Sequence, residues 1–248
     1  LLNTTWSRIS ATLIAFRRFP QFSVADQLTN NAGMQLPILI IASFLAGPEV
    51  GLLFLAMRAG GAPLAIIGSA VAQVYYANAP QYARMGSLAE ETERLVRRLS
   101  RMLVVPMLVL GPFAPSLFEI IFGPEWAAAG TFFVYMLPWY SFRLTSSPIS
   151  MVMHVCGKQK LMLILTLFGL LLRTIPLIFV LSYAPFYGII VLAGASAVYY
   201  FLLLIIFMSV SGLASSSVIK FVCNEVGIWL IAAVVGFSLN LMVASLSQ

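Results

Sequence analysis

The chain has 248 residues, of which 61% are hydrophobic and only 9% charged, and its mean hydropathy is +0.99. About a quarter of an ordinary soluble domain is charged, so a soluble enzyme or binding module is excluded and a polytopic membrane protein is indicated. The net charge of +6, which in a soluble protein would point to nucleic acid, is explained here by where the basic residues fall, and no nucleic-acid partner is implied.

Residues 1–21 are a mixed lead-in, with Trp6, Leu13, Ile14 and Phe16 among Arg8, Arg17 and Arg18, and are expected to lie along the membrane as an amphipathic segment. The chain begins Leu1-Leu2-Asn3 with neither Met nor a signal-peptide pattern, and reads as a fragment or a chain whose beginning is missing. A membrane span needs about 20 mostly apolar residues. On that rule spans are predicted at 22–46, 50–80, 102–122, 130–154, 160–182, 186–210 and 224–246. The predicted fold is an all-α polytopic membrane protein of about seven transmembrane helices. The second span is long enough to tilt or to project beyond the bilayer.

The connections alternate in charge. Arg8, Arg17 and Arg18 precede the first span, Arg84, Arg94, Arg97, Arg98 and Arg101 follow the second, Lys158 and Lys160 the fourth and Lys220 the sixth. The opposite turns, around Gly47-Pro48-Glu49, Gly123-Pro124-Glu125 and Tyr183-Ala184-Pro185, carry no Lys or Arg. The basic set is therefore expected on the cytoplasmic side. Gly-Pro-Glu suits a tight turn: glycine ends one helix, proline starts the next, and the carboxylate sits near the positive end of its dipole. Ser87 with Glu90 matches a capping box, so a cytoplasmic helix is predicted from Ser87 to Arg101, running into the third span. Cys156 and Cys223 have no metal-ligand spacing and are expected as reduced thiols.

Eleven of the 14 cations lie in that basic set; the other three, Arg58, Arg143 and Arg173, fall inside spans. An intramembrane arginine costs at least a few kcal/mol and persists where it lines a wet cavity, finds a partner or serves a function. At about 1.5 Å per residue, Arg58 lies roughly 13 Å deep, too far in to reach either interface easily. Arg58, Ala62, Ala65, Ser69, Gln73 and Tyr76 recur at steps of three or four and share a helix face, as do Trp139, Arg143, Ser146, Ser150 and His154. A shorter stripe, Gln27, Asn31 and Gln35, lies beside Asp26 and Asn30. Close helix packing accounts for the Ala and Ser members, but it does not require a guanidinium. Arg58 and Arg143 are read as cavity-lining, against the alternative of a structural ion pair or strut. Arg173, on a span otherwise apolar apart from Thr174, has weaker support for that role.

The available counter-charges are Asp26 near the inner interface and Glu119 near the outer one, also the candidates for a proton or ion relay. The interior is thus net positive and suits a diphosphate or acidic sugar, whose oxygens pair bidentately with guanidinium. Prolines at 37, 63, 106, 112, 115, 138, 148 and 176, and the pair Gly60-Gly61, are expected to bend or loosen the spans. No metal spacing, phosphate loop or nucleophile motif is present and no acidic pair lies on a shared intramembrane face, so neither a metal, a cofactor nor an enzyme activity is expected.

Arg17-Arg18-Phe19-Pro20, Gly47-Pro48-Glu49-Val50-Gly51-Leu52, Met57-Arg58 through Pro63-Leu64, and Ile67 through Tyr76 together resemble the Wzx-type oligosaccharide flippases of the MOP exporter superfamily. Phe122 through Gly130, Pro138-Trp139, Ser147-Pro148 and Gly157-Lys158-Gln159-Lys160 continue the pattern in order, over residues 16 to 182. The resemblance implies a two-lobed, MATE-like transporter, of which 22–210 looks like the six-helix C-terminal lobe, 211–223 a cytoplasmic linker and 224–248 an additional terminal helix. The N-terminal lobe of the same protein is then a missing partner. The implied activity is movement of undecaprenyl-diphosphate-linked oligosaccharide across the bacterial cytoplasmic membrane, for O-antigen of lipopolysaccharide, capsule or exopolysaccharide. Arg58 is the best-placed residue for the anionic headgroup, with Arg143 second and Arg173 third, and Asn31, Gln35, Ser69, Gln73, Ser146 and Ser150 line the cavity. Two alternatives are a cation-coupled drug exporter, which would place carboxylates in mid-membrane, and a membrane-embedded sugar polymerase or acyltransferase, which would need large outer loops.

Overall fold

The computed structural model describes residues 18–45 and 47–246. The amphipathic lead-in expected before Arg18 lies outside them. Eight helices follow in order: α1 (Arg18–Phe44), α2 (Pro48–Met85), α3 (Leu88–Phe122), α4 (Ala127–Ser146), the short α5 (Val152–Val155), α6 (Gln159–Tyr183), α7 (Gly188–Val210) and α8 (Ser215–Leu246). Among the described residues there is no strand, and a helix stands at each of the seven predicted spans.

Five of these helices, α2, α3, α6, α7 and α8, are long and apolar enough to cross a membrane. By the same measure α1 and α4 fall short, for a compositional reason. Asp26, Gln27, Asn30, Asn31 and Gln35 occupy much of α1, and α4 carries Arg143 among Tyr, Trp, Ser and Thr. Both are sheltered by neighbours: α1 packs along α6, while α4 is gripped by α7, α2 and the far half of α3. Polar spans are tolerated where other helices supply the surroundings that lipid cannot.

Several local expectations are revised. The fourth span is not one helix to 154: α4 stops at Ser146, a single 3₁₀ turn covers Ser147–Ile149, and α5 follows. Pro148 has no N–H and its ring clashes with the carbonyl four residues back, so the polar stripe from Trp139 to His154 is interrupted. Ser87 precedes α3 but makes no side-chain cap. Its expected partner Glu90 pairs instead with Arg94, which also pairs with Glu91, while Glu93 pairs with Arg97. Gly60 and Gly61 lie within unbroken helix; they let the Phe133 ring and the Tyr140 hydroxyl of α4 approach α2. The predicted 211–223 linker is short, because α8 already begins at Ser215.

The basic turns converge on one end of the bundle, hereafter the basic end. There Ala89 lies 3.9 Å from where a side chain on Gly212 would start, Cys156 Sγ donates to the Val210 carbonyl (3.6 Å), and the Tyr75 hydroxyl meets Thr92 Oγ1 (2.7 Å). Thr92 already donates to the Leu88 carbonyl, so Tyr75 is the donor in that pair. At the opposite end Gly123 takes φ +110, which only glycine adopts readily, ahead of Pro124.

α8 is bound to α3 at two levels. Near the basic end Glu225, 2% exposed, accepts a bond from Ser100 Oγ (2.6 Å), and Trp229 Nε1 donates to that same oxygen (2.7 Å). Arg97 and Arg101 stand 3.7 and 3.5 Å from the Glu225 carboxylate. Here α3 widens into a π-helical turn, Ser100–Val104. Farther along, Gly236 allows backbone contact: a Cβ there would lie 2.5 Å from the Val109 carbonyl oxygen.

Gly236→Leu should therefore prise α8 from α3, at the cost of about 1–3 kcal/mol typical of overpacking, and should lower the thermal midpoint of detergent-solubilised protein. Gly227→Leu, at a position with open space around it, should leave the midpoint unchanged. A second expectation concerns Cys156, whose thiol is pushed up by burial against the opposing pull of Lys158. A raised pKa leaves less thiolate at any given pH, so maleimide should alkylate Cys156 slowly at neutral pH and its rate should climb only above the usual thiol range, with Cys156→Ser as the blank.

Candidate functional site

After their shared turn α1 and α2 diverge. The space between them is a cavity of about 420 Å³, closed by α4, α6 and α7. Arg58 of α2, Arg143 of α4 and Arg173 of α6 all line it, together with Gln35 of α1. Gly61, Ala62 and Ala65 keep the α2 wall low, since each follows Arg58 at helical spacing. The lining contains no carboxylate among the described residues. Among the described residues, no Asp or Glu lies within ion-pair distance of any of the three arginines.

The three are not equivalent. Arg58 is exposed, and Arg143 is half-buried with Nη2 4.0 Å from Met34 Sδ. Arg173, given the least weight on sequence, is the most tightly built: it is 1% exposed, its Nε donates to the Gly169 carbonyl (2.8 Å), and its guanidinium lies 4.7 Å from the Tyr199 ring centroid. A cation over an aromatic face gains electrostatic support that a lipid contact would not give. Nη1 and Nη2 have no hydrogen-bond partner among the described residues. Gly33 of α1 makes the room they need, because a Cβ there would come within 2.6 Å of Nη2.

A second cavity, of about 300 Å³, continues between α2 and α4 toward the basic end and shares Ala65, Tyr140 and Arg143 with the first. Ser69 and Ser150 line it. The remaining predicted polar residues are placed otherwise. Asn31 and Gln73 are exposed on their helices and line neither cavity; Ser146 is buried and donates to the Phe142 carbonyl (2.7 Å). Asp26, 5% exposed, is joined to α6 through Thr166 Oγ1, which donates to it (2.5 Å). Glu119 is exposed on α3 and away from both cavities.

Two features escape the sequence reading. Ser196 lines the first cavity from α7, and the signal for it is a lone hydroxyl on the face that buries Ile189, Leu192, Ala193, Tyr199 and Leu203. Glu225 is a buried carboxylate that meets arginines, and its signal is the Arg97, Ser100, Arg101 ladder on α3 facing an acid inside an apolar span.

Fold and site together define a helical membrane protein with a cationic cavity, lined among the described residues by no acid. The chain belongs to the polysaccharide biosynthesis protein family, whose model matches residues 4–130. This fits the Wzx-type flippase resemblance and assigns the chain a role in polysaccharide biosynthesis or export at a membrane. The matched segment includes Arg58 and stops short of Arg143 and Arg173. No curated protein and no solved structure matches the chain.

A buried charge with no counter-charge is a stability liability, and replacing buried ions by apolar residues of similar size stabilises other proteins by about 1–4 kcal/mol or leaves them unchanged. Arg173→Met should thus hold or raise the thermal midpoint of the purified protein while abolishing polysaccharide export. A midpoint lowered by several degrees would make Arg173 a structural strut.

Proposed function

We propose that this chain supplies the cationic lobe of a flippase that carries undecaprenyl-diphosphate-linked oligosaccharide across the bacterial cytoplasmic membrane for O-antigen, capsule or exopolysaccharide assembly. The observation that carries the reading is the convergence of three arginines, from three helices, on one cavity whose described lining has no acid. A diphosphate offers several oxygens to such a set, and guanidinium pairs with them through parallel N–H bonds that a lysine cannot reproduce. Arg58 and Arg143, exposed and half-buried, are the residues that first meet the headgroup. The second cavity, running toward the basic end past Arg143, gives it a path.

On this reading a preceding lobe of the same protein forms the facing wall, and transport is a rocking of the two lobes about the cavity. The basic end faces the cytoplasm, in keeping with the positive-inside rule. Asp26, buried where α1 meets α6, is better placed than Glu119 to couple a proton or ion to that motion. The drug-exporter alternative calls for acids in the cavity, and the polymerase or acyltransferase alternative for acid–base residues there; the described lining favours neither.

Complementation of a flippase-null strain by the full-length protein tests the reading. Arg58→Ala with Arg143→Ala should cut surface polysaccharide at least about tenfold, the loss expected when a charge-assisted hydrogen bond worth about 1.5–3 kcal/mol is removed. Normal export by the double variant at normal protein level would show that these arginines do not handle the cargo.

A further inference from the structure

The wall of the cavity opposite α2 holds several buried donors with nothing to bond. Arg173 uses Nε on the Gly169 carbonyl and leaves Nη1 and Nη2 unpartnered; Trp139 Nε1 and Ser196 Oγ are also buried and unpartnered. All three residues line the same cavity, from α6, α4 and α7. Such groups are rare singly, because each one buried unsatisfied forfeits the hydrogen bond it had in water. Three side chains of this kind on one cavity are a constellation.

The contrast with equivalent residues elsewhere in the chain is informative. Several helical serines here return their hydroxyl to a carbonyl one turn back, Ser141 to Leu137, Ser146 to Phe142, Ser182 to Ile178 and Ser209 to Ile205, and the buried Ser100 donates to Glu225. Ser196 has the same helical setting and does neither. Trp229, the other buried tryptophan, finds an acceptor in Ser100, whereas Trp139 has none and its ring is held by stacking on Tyr140 (5.3 Å between centroids). Arg173 is likewise held, by Tyr199 beneath it and by the missing side chain at Gly33.

A guanidinium and an indole N–H can only donate. The matching ligand therefore presents acceptors alone, at three or more positions, and carries negative charge to offset a buried cation. We infer that Arg173, Trp139 and Ser196 form a buried oxyanion subsite, separate from the exposed Arg58 and the half-buried Arg143, that reads a carboxylate or phosphate group of the transported molecule. This rests on the transport reading above and adds to it: recognition is two-tiered, with the more exposed arginines at the mouth and a desolvated donor set behind them. Trp139 and Ser196 become specificity-determining residues. A neutral sugar at the same place would leave the arginine without a counter-charge.

The test is binding by the purified full chain in lipid nanodiscs, titrated with inorganic pyrophosphate, glucuronate or glucose and read by calorimetry. At least one of the two anions should bind saturably, and glucose should not. Ser196→Ala and Trp139→Phe change little volume, so they preserve the fold; each should weaken the anion about tenfold, the usual scale for a lost hydrogen bond to a charged group. Arg173→Lys, which keeps the charge but not the fork, should weaken it at least as much. Glucuronate alone binding assigns the subsite to a sugar carboxylate, pyrophosphate alone to the linkage phosphates. Unchanged affinity in Ser196→Ala and Trp139→Phe overturns the subsite, as does equal binding of glucose or no binding of either anion. If in addition binding disappears in Arg58→Ala with Arg143→Ala, the anion sits at the mouth and the transport reading stands without the subsite. Loss of binding in the subsite variants with undiminished export in cells would instead separate a real anion site from the transport reading.

Discussion

Arg173 is buried and, among the described residues, meets no carboxylate, and its neighbours are arranged to hold that single guanidinium. Its Nε is met by a carbonyl of its own helix, its face by Tyr199 of α7, and its far side by a glycine in α1. A larger residue at Gly33 would drive α1 off the guanidinium, and loss of the tyrosine would leave the cation against alkyl chains. Three helices thus meet at this level around one buried cation. That cation's two outer nitrogens are buried without a partner among the described residues, and the residue itself lines the cavity.

The molecule shows elsewhere how it treats a charge that is purely structural. Glu225 is as deeply buried as Arg173, yet it is bonded by Ser100 and approached by Arg97 and Arg101. Arg97 is itself held by Glu93 and lies over the Phe221 ring (5.0 Å). Breaking a buried pair by removing one partner is strongly destabilising, so this network locks α8 to the π-turn of α3. One chain therefore contains both a compensated buried charge, which fastens two helices, and an uncompensated one facing a cavity. The difference is the physical basis for assigning function to the second.

Much of the fold was legible because length, hydropathy and charge alternation act at the scale of whole spans. All seven helical positions followed from those alone, including α1 and α4, whose polar residues put them below the hydropathy of a free-standing span. The errors are local. Ser147-Pro148 ended α4 because proline removes a donor, whereas Pro138 left it continuous, and no span-level signal tells these cases apart. Gly60-Gly61 looked like a hinge and is a packing surface, since what decides is the bulk of Phe133 and Tyr140 across the gap. The capping box failed because Glu90 had a nearby arginine on the next turn.

At the site, periodicity gave Arg58 and Arg143 more weight than Arg173 as cavity-lining residues; all three line the cavity, and Arg173 is the most buried of them. Arg58 and Arg143 lie on polar stripes, and a polar stripe marks a face that is partly wet, so those two are the accessible ones. Arg173 stands among apolar residues because its surroundings are tertiary: Tyr199, Ser196 and Gly33 come from helices remote in sequence. A residue whose neighbours on its own helix give it no support must be supported from elsewhere or by a ligand. Tyr199 and the Gly169 carbonyl provide for the ring face and Nε, which leaves Nη1 and Nη2 to the cavity. Among the described residues no acceptor meets them, so the isolation of Arg173 in sequence, first a reason to discount it, is what motivates the proposed anion beside it.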